Sequence, residues 1–280
     1  MADIKVAVIN ASTALLDADV QAAMPALQMQ VNQDFAPAWG IDADLSFVPS
    51  SATPPADEWW LAILDDSDRG EDLGYHELND DGLPLCKVFA KTDLAMGYPW
   101  TLTASHELLE MLADPNAHLT VFMSTVYGDF MYAQEVADPC EAQGYGYDID
   151  GIRVSDFVLP AWFEPLREIK GTPFDRCRHV VGPLQCLPGC HMDVYDACLC
   201  TWRTFWGEGQ PYRYEMRPAG GTRRERRRRP RSRWRRSEVK RKREEALRAP
   251  QSISELTTET LQELSSSLGG LLDTIRRTQI

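Results

Sequence analysis

The sequence predicts an α+β fold. Three observations carry it: short β-branched runs of strand character are interleaved with two stretches of helical apolar spacing, turn residues punctuate the runs, and 44% of the 280 residues are hydrophobic. That composition can bury at least one full core. No stretch approaches the roughly 18 consecutive apolar residues of a membrane helix. The start Met1-Ala2-Asp3-Ile4-Lys5 runs straight into an apolar strand, so no signal peptide is expected and a cytoplasmic location is. Seven cysteines, an odd number, read as reduced thiols or metal ligands better than as a disulfide framework.

The elements follow in order. Ile4-Lys5-Val6-Ala7-Val8-Ile9 is a buried strand by its β-branched run. Asp17 is placed to cap a helix whose Val20, Met24, Leu27, Val31 and Phe35 recur at helical spacing. Residues 45–48 and 59–64 are the next strands, and the turn Asn79-Asp80-Asp81-Gly82 leads into another at 86–90. A helix runs from about 99 to 114, with Thr103 or Ser105 near its start as caps and Pro115 forbidding its continuation.

That helix carries Ser105-His106-Glu107-Leu108-Leu109-Glu110. His106 and Glu110 are four apart, so they project from one face one turn apart and can grip a single ion. Glu107 beside them can act on a water there as a general base, which is the logic of the H-E-x-x-H metallohydrolases with glutamate in place of the second histidine. A catalytic zinc wants a third protein ligand and an open position. Glu135, in Glu135-Val136-Ala137-Asp138, is expected to supply that ligand, and Asp138 to orient His106 through its other ring nitrogen. Two carboxylates offset a divalent charge and admit Mn²⁺ or another hard cation as well as Zn²⁺. The competing expectation is a satisfied polar pair on an amphipathic helix. His76 and His118 read as ordinary strand and loop histidines.

The order of elements, the H-E-x-x-E string and the later Glu-x-x-Asp resemble the zincin fold, nearest its glutamate-liganded branch. The 105–115 and 135–140 strings also resemble bacterial zincin-like proteins, and beyond them Tyr147-Asp148-Ile149-Asp150-Gly151 and the run 155–163 are similar to uncharacterised proteins of tailed phages and prophages. The resemblance spans about 4–165. It implies a mixed sheet beneath an active-site helix, a metal-dependent hydrolase of peptide bonds, and an edge strand, at 74–77 or 86–90, that lies antiparallel to bound peptide. The alternative it implies is a structural virion or assembly component that keeps the scaffold, so a virion-associated location is the second expectation.

The rest of the chain is expected to form appendages: a zincin-like domain at 1–170, a Cys-rich β extension at 171–217, an Arg-rich arm at 218–249 and an amphipathic helix at 250–280. Five cysteines with His179 and His191 fall between 177 and 200, but no pair has C-x₂-C spacing, so reduced thiols among short strands are expected. Residues 1–172 hold 7 Lys+Arg against 29 Asp+Glu, whereas 223–243 hold 14 basic residues against two acids. The arm, with Arg223, Arg224, Arg226, Arg227, Arg228 and Arg229, cannot fold alone, and its charge calls for nucleic acid or acidic protein subunits as partner. The apolar stripe from Ile253 to Ile275 calls for a partner helix, a second copy or the chain's own domain. No membrane partner is expected.

Overall fold

A computed structural model describes residues 2–68, 72–168, 170–207 and, as backbone, 213–217. The chain divides into compact units, Met1–Arg229 and Pro230–Ile280. The arm at 218–249 and the helix expected at 250–280 lie outside the described residues.

The fold is α+β. Strand β1 (Ile4–Asn10) leads to α1 (Asp17–Met29), which passes through a π-helical turn at Gln30–Phe35 into the short α2 (Ala36–Trp39). Strands β2 (Ala43–Val48), β3 (Trp59–Leu64), β4 (Gly74–Leu78) and β5 (Pro84–Phe89) follow, then α3 (Ala90–Ala95) and α4 (Trp100–Ala113). Next come β6 (Thr120–Thr125), β7 (Gly128–Ala133), a 3-10 turn at Asp138–Cys140, β8 (Tyr147–Ile149), β9 (Ile152–Val154) and a second 3-10 turn at Pro160–Phe163. Strands β10 (His191–Asp196), β11 (Thr201–Trp206) and β12 (Arg213–Arg217) complete the described chain. None of its helices is long and apolar enough to cross a membrane.

The first sheet has the order β2-β1-β3-β5-β4. Its first four strands are parallel, and β4 lies antiparallel to β5 at the edge. The ladder aligns Val8, Leu61, Cys86 and His76 in one row, and side chains in such a row share a face. That face is the core face: Val8, Leu61 and Cys86 are fully buried there with Leu27 of α1 and Leu108, Leu109, Met111 and Leu112 of α4. His76 therefore points beneath α4. Gly74 shares its face, and a Cβ there would stand 2.7 Å from Thr103 Cγ2 and 2.8 Å from Glu107 Cγ. The missing side chain lets α4 lie close on the edge strand.

Two caps differ from expectation. Asp17 is the first residue of α1, and its carboxylate accepts from Asn10 Nδ2 and the Ser50 N–H instead, while Asp19 accepts the Leu16 N–H at 2.8 Å. Pro99 occupies the cap position of α4; Thr103 donates to Asp93 and Ser105 donates back to the Leu102 carbonyl while accepting the Ser155 N–H, so neither hydroxyl is left for the helix end. The helix stops at Asp114, before Pro115.

The second sheet, β12-β11-β10-β7-β6, is antiparallel. It joins β7 to β10 across residue 170, so the Cys-rich segment shares a sheet with the chain before it. None of the seven cysteines is in a disulfide: Cys86, Cys140, Cys186 and Cys190 are buried, Cys177 is half-buried, and Cys198 and Cys200 are exposed in the β10–β11 turn.

Asp93 of α3 is fully buried and accepts the Thr103 hydroxyl at 2.8 Å. Burial pushes its carboxyl up to about 7, against the weaker downward pull of that hydrogen bond. The folded state then binds more protons than the unfolded chain between the ordinary 3.8 and about 7, so stability falls as pH rises through that window and the cost is complete above it. Asp93→Asn is expected to raise the melting temperature by about 5 °C at pH 8, the size of about 2 kcal/mol in a domain like this. The gain should vanish below pH 4. Thermal denaturation across that range checks it, and a gain independent of pH would refute the assignment.

Candidate metal centre

Helix α4 is buried at every position but His106, which alone gives the helix a solvent opening. One turn on, Glu110 is 2% exposed, and its Oε2 lies 3.4 Å from His106 Nε2. Its other oxygen, Oε1, accepts the backbone N–H groups of Ala137 and Asp138 at 3.2 and 3.3 Å. Those two bonds hold the start of the 3-10 turn against the helix, and Asp138 Oδ1 comes to 3.3 Å from the same His106 Nε2.

These separations exceed the roughly 2.7–2.9 Å of a charge-assisted hydrogen bond. They match the spacing of two donors on one tetrahedral zinc, about 3.3–3.4 Å for bonds of about 2.0–2.1 Å. One imidazole nitrogen facing two carboxylate oxygens at that distance is a group that could hold an ion.

Two neighbouring groups share these carboxylates without sharing that geometry. Among His76, Glu110 and Glu135, the histidine splits its nitrogens: Nδ1 is 3.8 Å from Glu110 Oε2 and Nε2 is 3.8 Å from Glu135 Oε2. Among Asp138, Glu141 and His191, Nε2 is 3.4 Å from Asp138 Oδ2 and Nδ1 is 2.6 Å from Glu141 Oε1. In each of these groups one atom per residue still lies within 4.8 Å of the others, so both are further candidate sets, wider in spacing, that share Glu110 or Asp138 with the first. His191 is further fixed by stacking on Trp206, with ring centroids 5.0 Å apart.

The structure thus brings His106 and Glu110 together and adds Asp138. Glu135 also joins Glu110, in the candidate group that His76 completes. Asp138 faces the nitrogen of His106 that Glu110 also faces, not the opposite one that an orienting partner would take. Glu107 lies against β4, its Oε2 3.7 Å from His76 Nδ1. Arg223, Arg224, Arg226, Arg227, Arg228 and Arg229 lie outside the described residues. His118 sits exposed in a loop. His76, His191 and Glu141 are the members that sequence reasoning missed. For His76 a signal existed, since alternation along the edge strand sets it on the face of Gly74; for His191, brought in from 50 residues beyond Glu141, there was none.

The field of the site is negative. Burial would lower His106, yet Glu110 and Asp138 raise it well above its ordinary value. His191 is carried up to about 10, Asp138 and Glu141 outweighing burial. Asp138 is held down because its two histidines outweigh burial. Such a site retains positive charge, either protons or a cation.

His106→Ala and Asp138→Asn are each expected to weaken divalent-metal binding at least about 100-fold, and Glu135→Gln to change it by less than about tenfold. Calorimetric titration with Zn²⁺ checks the order; an effect of Glu135→Gln larger than that of Asp138→Asn would return Glu135 to the ligands. No protein-family model, curated protein or solved structure matches the chain, so the assignment stands on this geometry.

Proposed function

We propose that the protein is a metal-dependent hydrolase acting on peptide bonds. The observation that carries the proposal is the convergence of Glu110 Oε2 and Asp138 Oδ1 on His106 Nε2 at 3.4 and 3.3 Å. Two carboxylates and one imidazole suit Zn²⁺ and also admit Mn²⁺. A divalent ion held there supplies Lewis-acid polarisation of a carbonyl and a lowered pKa for water.

The protein's own groups do the rest. Glu107, next to His106, is the general base: its carboxylate takes a proton from the attacking water and passes it to the leaving amine. His76 Nδ1, 3.7 Å from Glu107 Oε2, steers that carboxylate. The apolar packing of α4 keeps bulk water from every side of the helix but the His106 face. Strand β4 ends the sheet, and resemblance to the zincin fold implies that such an edge strand lies antiparallel to a bound extended peptide. The basic arm at 218–249 serves as the attachment segment, to nucleic acid or to acidic protein subunits.

Glu107→Gln is expected to cut kcat/KM on a peptide substrate by about 10²–10⁴-fold while metal content stays unchanged, because the amide keeps the shape and takes no proton. Peptide hydrolysis with added Zn²⁺ or Mn²⁺, measured beside metal analysis, checks both halves. Full activity in that variant would remove Glu107 from the mechanism, and no turnover by the parent protein with either ion would overturn the hydrolase.

For the arm, replacing Arg226, Arg227, Arg228 and Arg229 with alanine should reduce the slope of log K against log salt for DNA binding by about 3–4. Binding that ignores salt would exclude a phosphate-gripping arm.

A further inference from the structure

We propose that Asp156, Cys177 and His179 form a second, structural zinc site that staples the irregular segment 164–190 to the core. The three donor atoms lie within 4.8 Å of one another, and none belongs to the Glu110 centre. His179 Nδ1 faces two carboxylates, 3.4 Å from Asp156 Oδ2 and, more distantly, 3.8 Å from Asp175 Oδ2. The shorter distance again matches the edge of a zinc tetrahedron, about 3.3–3.4 Å.

The local charge points the same way. Asp156 and Asp175 are both fully buried acids, and a buried carboxylate calls for hydrogen bonds or a compensating charge. Among the described residues, His179 is the one basic side chain within ion-pair distance of either, and it is 41% exposed. The nearby Arg176 pairs with Asp34 instead, at 2.8 Å. A divalent ion held by Asp156, Cys177 and His179 would offset that buried charge.

The backbone has arranged the donors. Asp156 Oδ1 accepts the N–H groups of Phe157 and Cys177, which leaves Oδ2 turned to His179. Asp175 accepts the N–H groups of His179 and Val180 and so closes the loop that carries Cys177 and His179 on one side. A thiol with an imidazole and carboxylates selects zinc over calcium or magnesium. A staple also has a purpose here: 164–190 contains no helix or strand among its described residues, only the isolated bridge from Asp175 to Val158. On the core side of the staple, the Ser155 N–H beside Asp156 bonds the Ser105 hydroxyl of α4.

The test uses the full chain loaded with Co²⁺. The Glu110 centre has only oxygen and nitrogen donors, so a thiolate-to-cobalt charge-transfer band in the near ultraviolet reports the second site alone. The band is expected in the parent and in His106→Ala and to be lost in Cys177→Ser. In the unaltered chain, Zn²⁺ should slow alkylation of Cys177 at least about tenfold relative to chelator, with Cys198 and Cys200 unaffected, as read by peptide mass spectrometry. This second arm decides the matter should Cys177→Ser not fold. Absence of the band, its persistence in Cys177→Ser, or zinc protection falling on Cys198 and Cys200 in place of Cys177 would overturn the site. Metal loss in His106→Ala is scored separately, so each centre can fail without the other.

Discussion

The Glu110 carboxylate is the constraint on which the rest depends. It is 2% exposed, and a buried carboxylate survives only where its oxygens are hydrogen-bonded or paired. One oxygen takes two backbone N–H groups from the start of the 3-10 turn at Asp138–Cys140, and the other faces His106 and His76. Three pieces of chain distant in sequence, the edge strand, the helix and the turn, are therefore tied to one side chain. Asp138 reaches His106 because the turn that presents it is fastened to Glu110. The candidate metal group and the local fold rest on the same four contacts, so the cluster cannot loosen without releasing the turn.

The remainder of the first sheet places that helix. Leu108, Leu109, Met111 and Leu112 pack into the same cluster as the row Val8, Leu61 and Cys86, which fixes the rotation of α4 about its axis. With that rotation set, positions 107 and 110 face β4 and the loop after β7, and 106 alone reaches solvent. Gly74 then sets the height of the helix over the sheet, since any side chain there would strike Thr103 and Glu107. A histidine two residues along the same face comes under the helix by the alternation of the strand.

Periodicity explains what could be read in advance. The α+β class, the first strands, the active helix and the His106–Glu110 pair were legible because each depends on neighbours within one or two turns of chain. The choice between Glu135 and Asp138 was not. Both lie in one short segment, and only the 3-10 turn, held by bonds from its backbone to a side chain 27 residues away, decides which carboxylate turns toward His106. His191 was further out of reach, because it arrives through the pairing of β10 with β7, and strand partners across 60 residues leave no local trace. The cysteines mislead in the same way: they crowd together in sequence but separate into buried, half-buried and exposed positions, and only Cys177 joins a group that can hold an ion.

The same electrostatic problem recurs in both centres and ties them to stability. An excess of 29 acids over 7 basic residues in 1–172 leaves few cationic side chains to pair with carboxylates that the fold has buried. Histidines stand where arginines or lysines would otherwise be needed, and a histidine balances one negative charge only while it is protonated. Glu110 with Asp138, and Asp156 with Asp175, each present two acidic groups to one such imidazole. Around Glu110 and Asp138, His76 and His191 add further imidazoles, and a divalent ion is the other way to offset the charge. An ion that binds only the folded chain would add RT ln(1 + [L]/Kd), about 2.7 kcal/mol at a concentration of 100 Kd, so the proposed metal binding would couple to the stability of a domain whose core contains these carboxylates. On that proposal the same side chains serve the fold as well as any chemistry, and the solvent opening at His106 is what would separate a group able to meet a substrate from one that holds a loop.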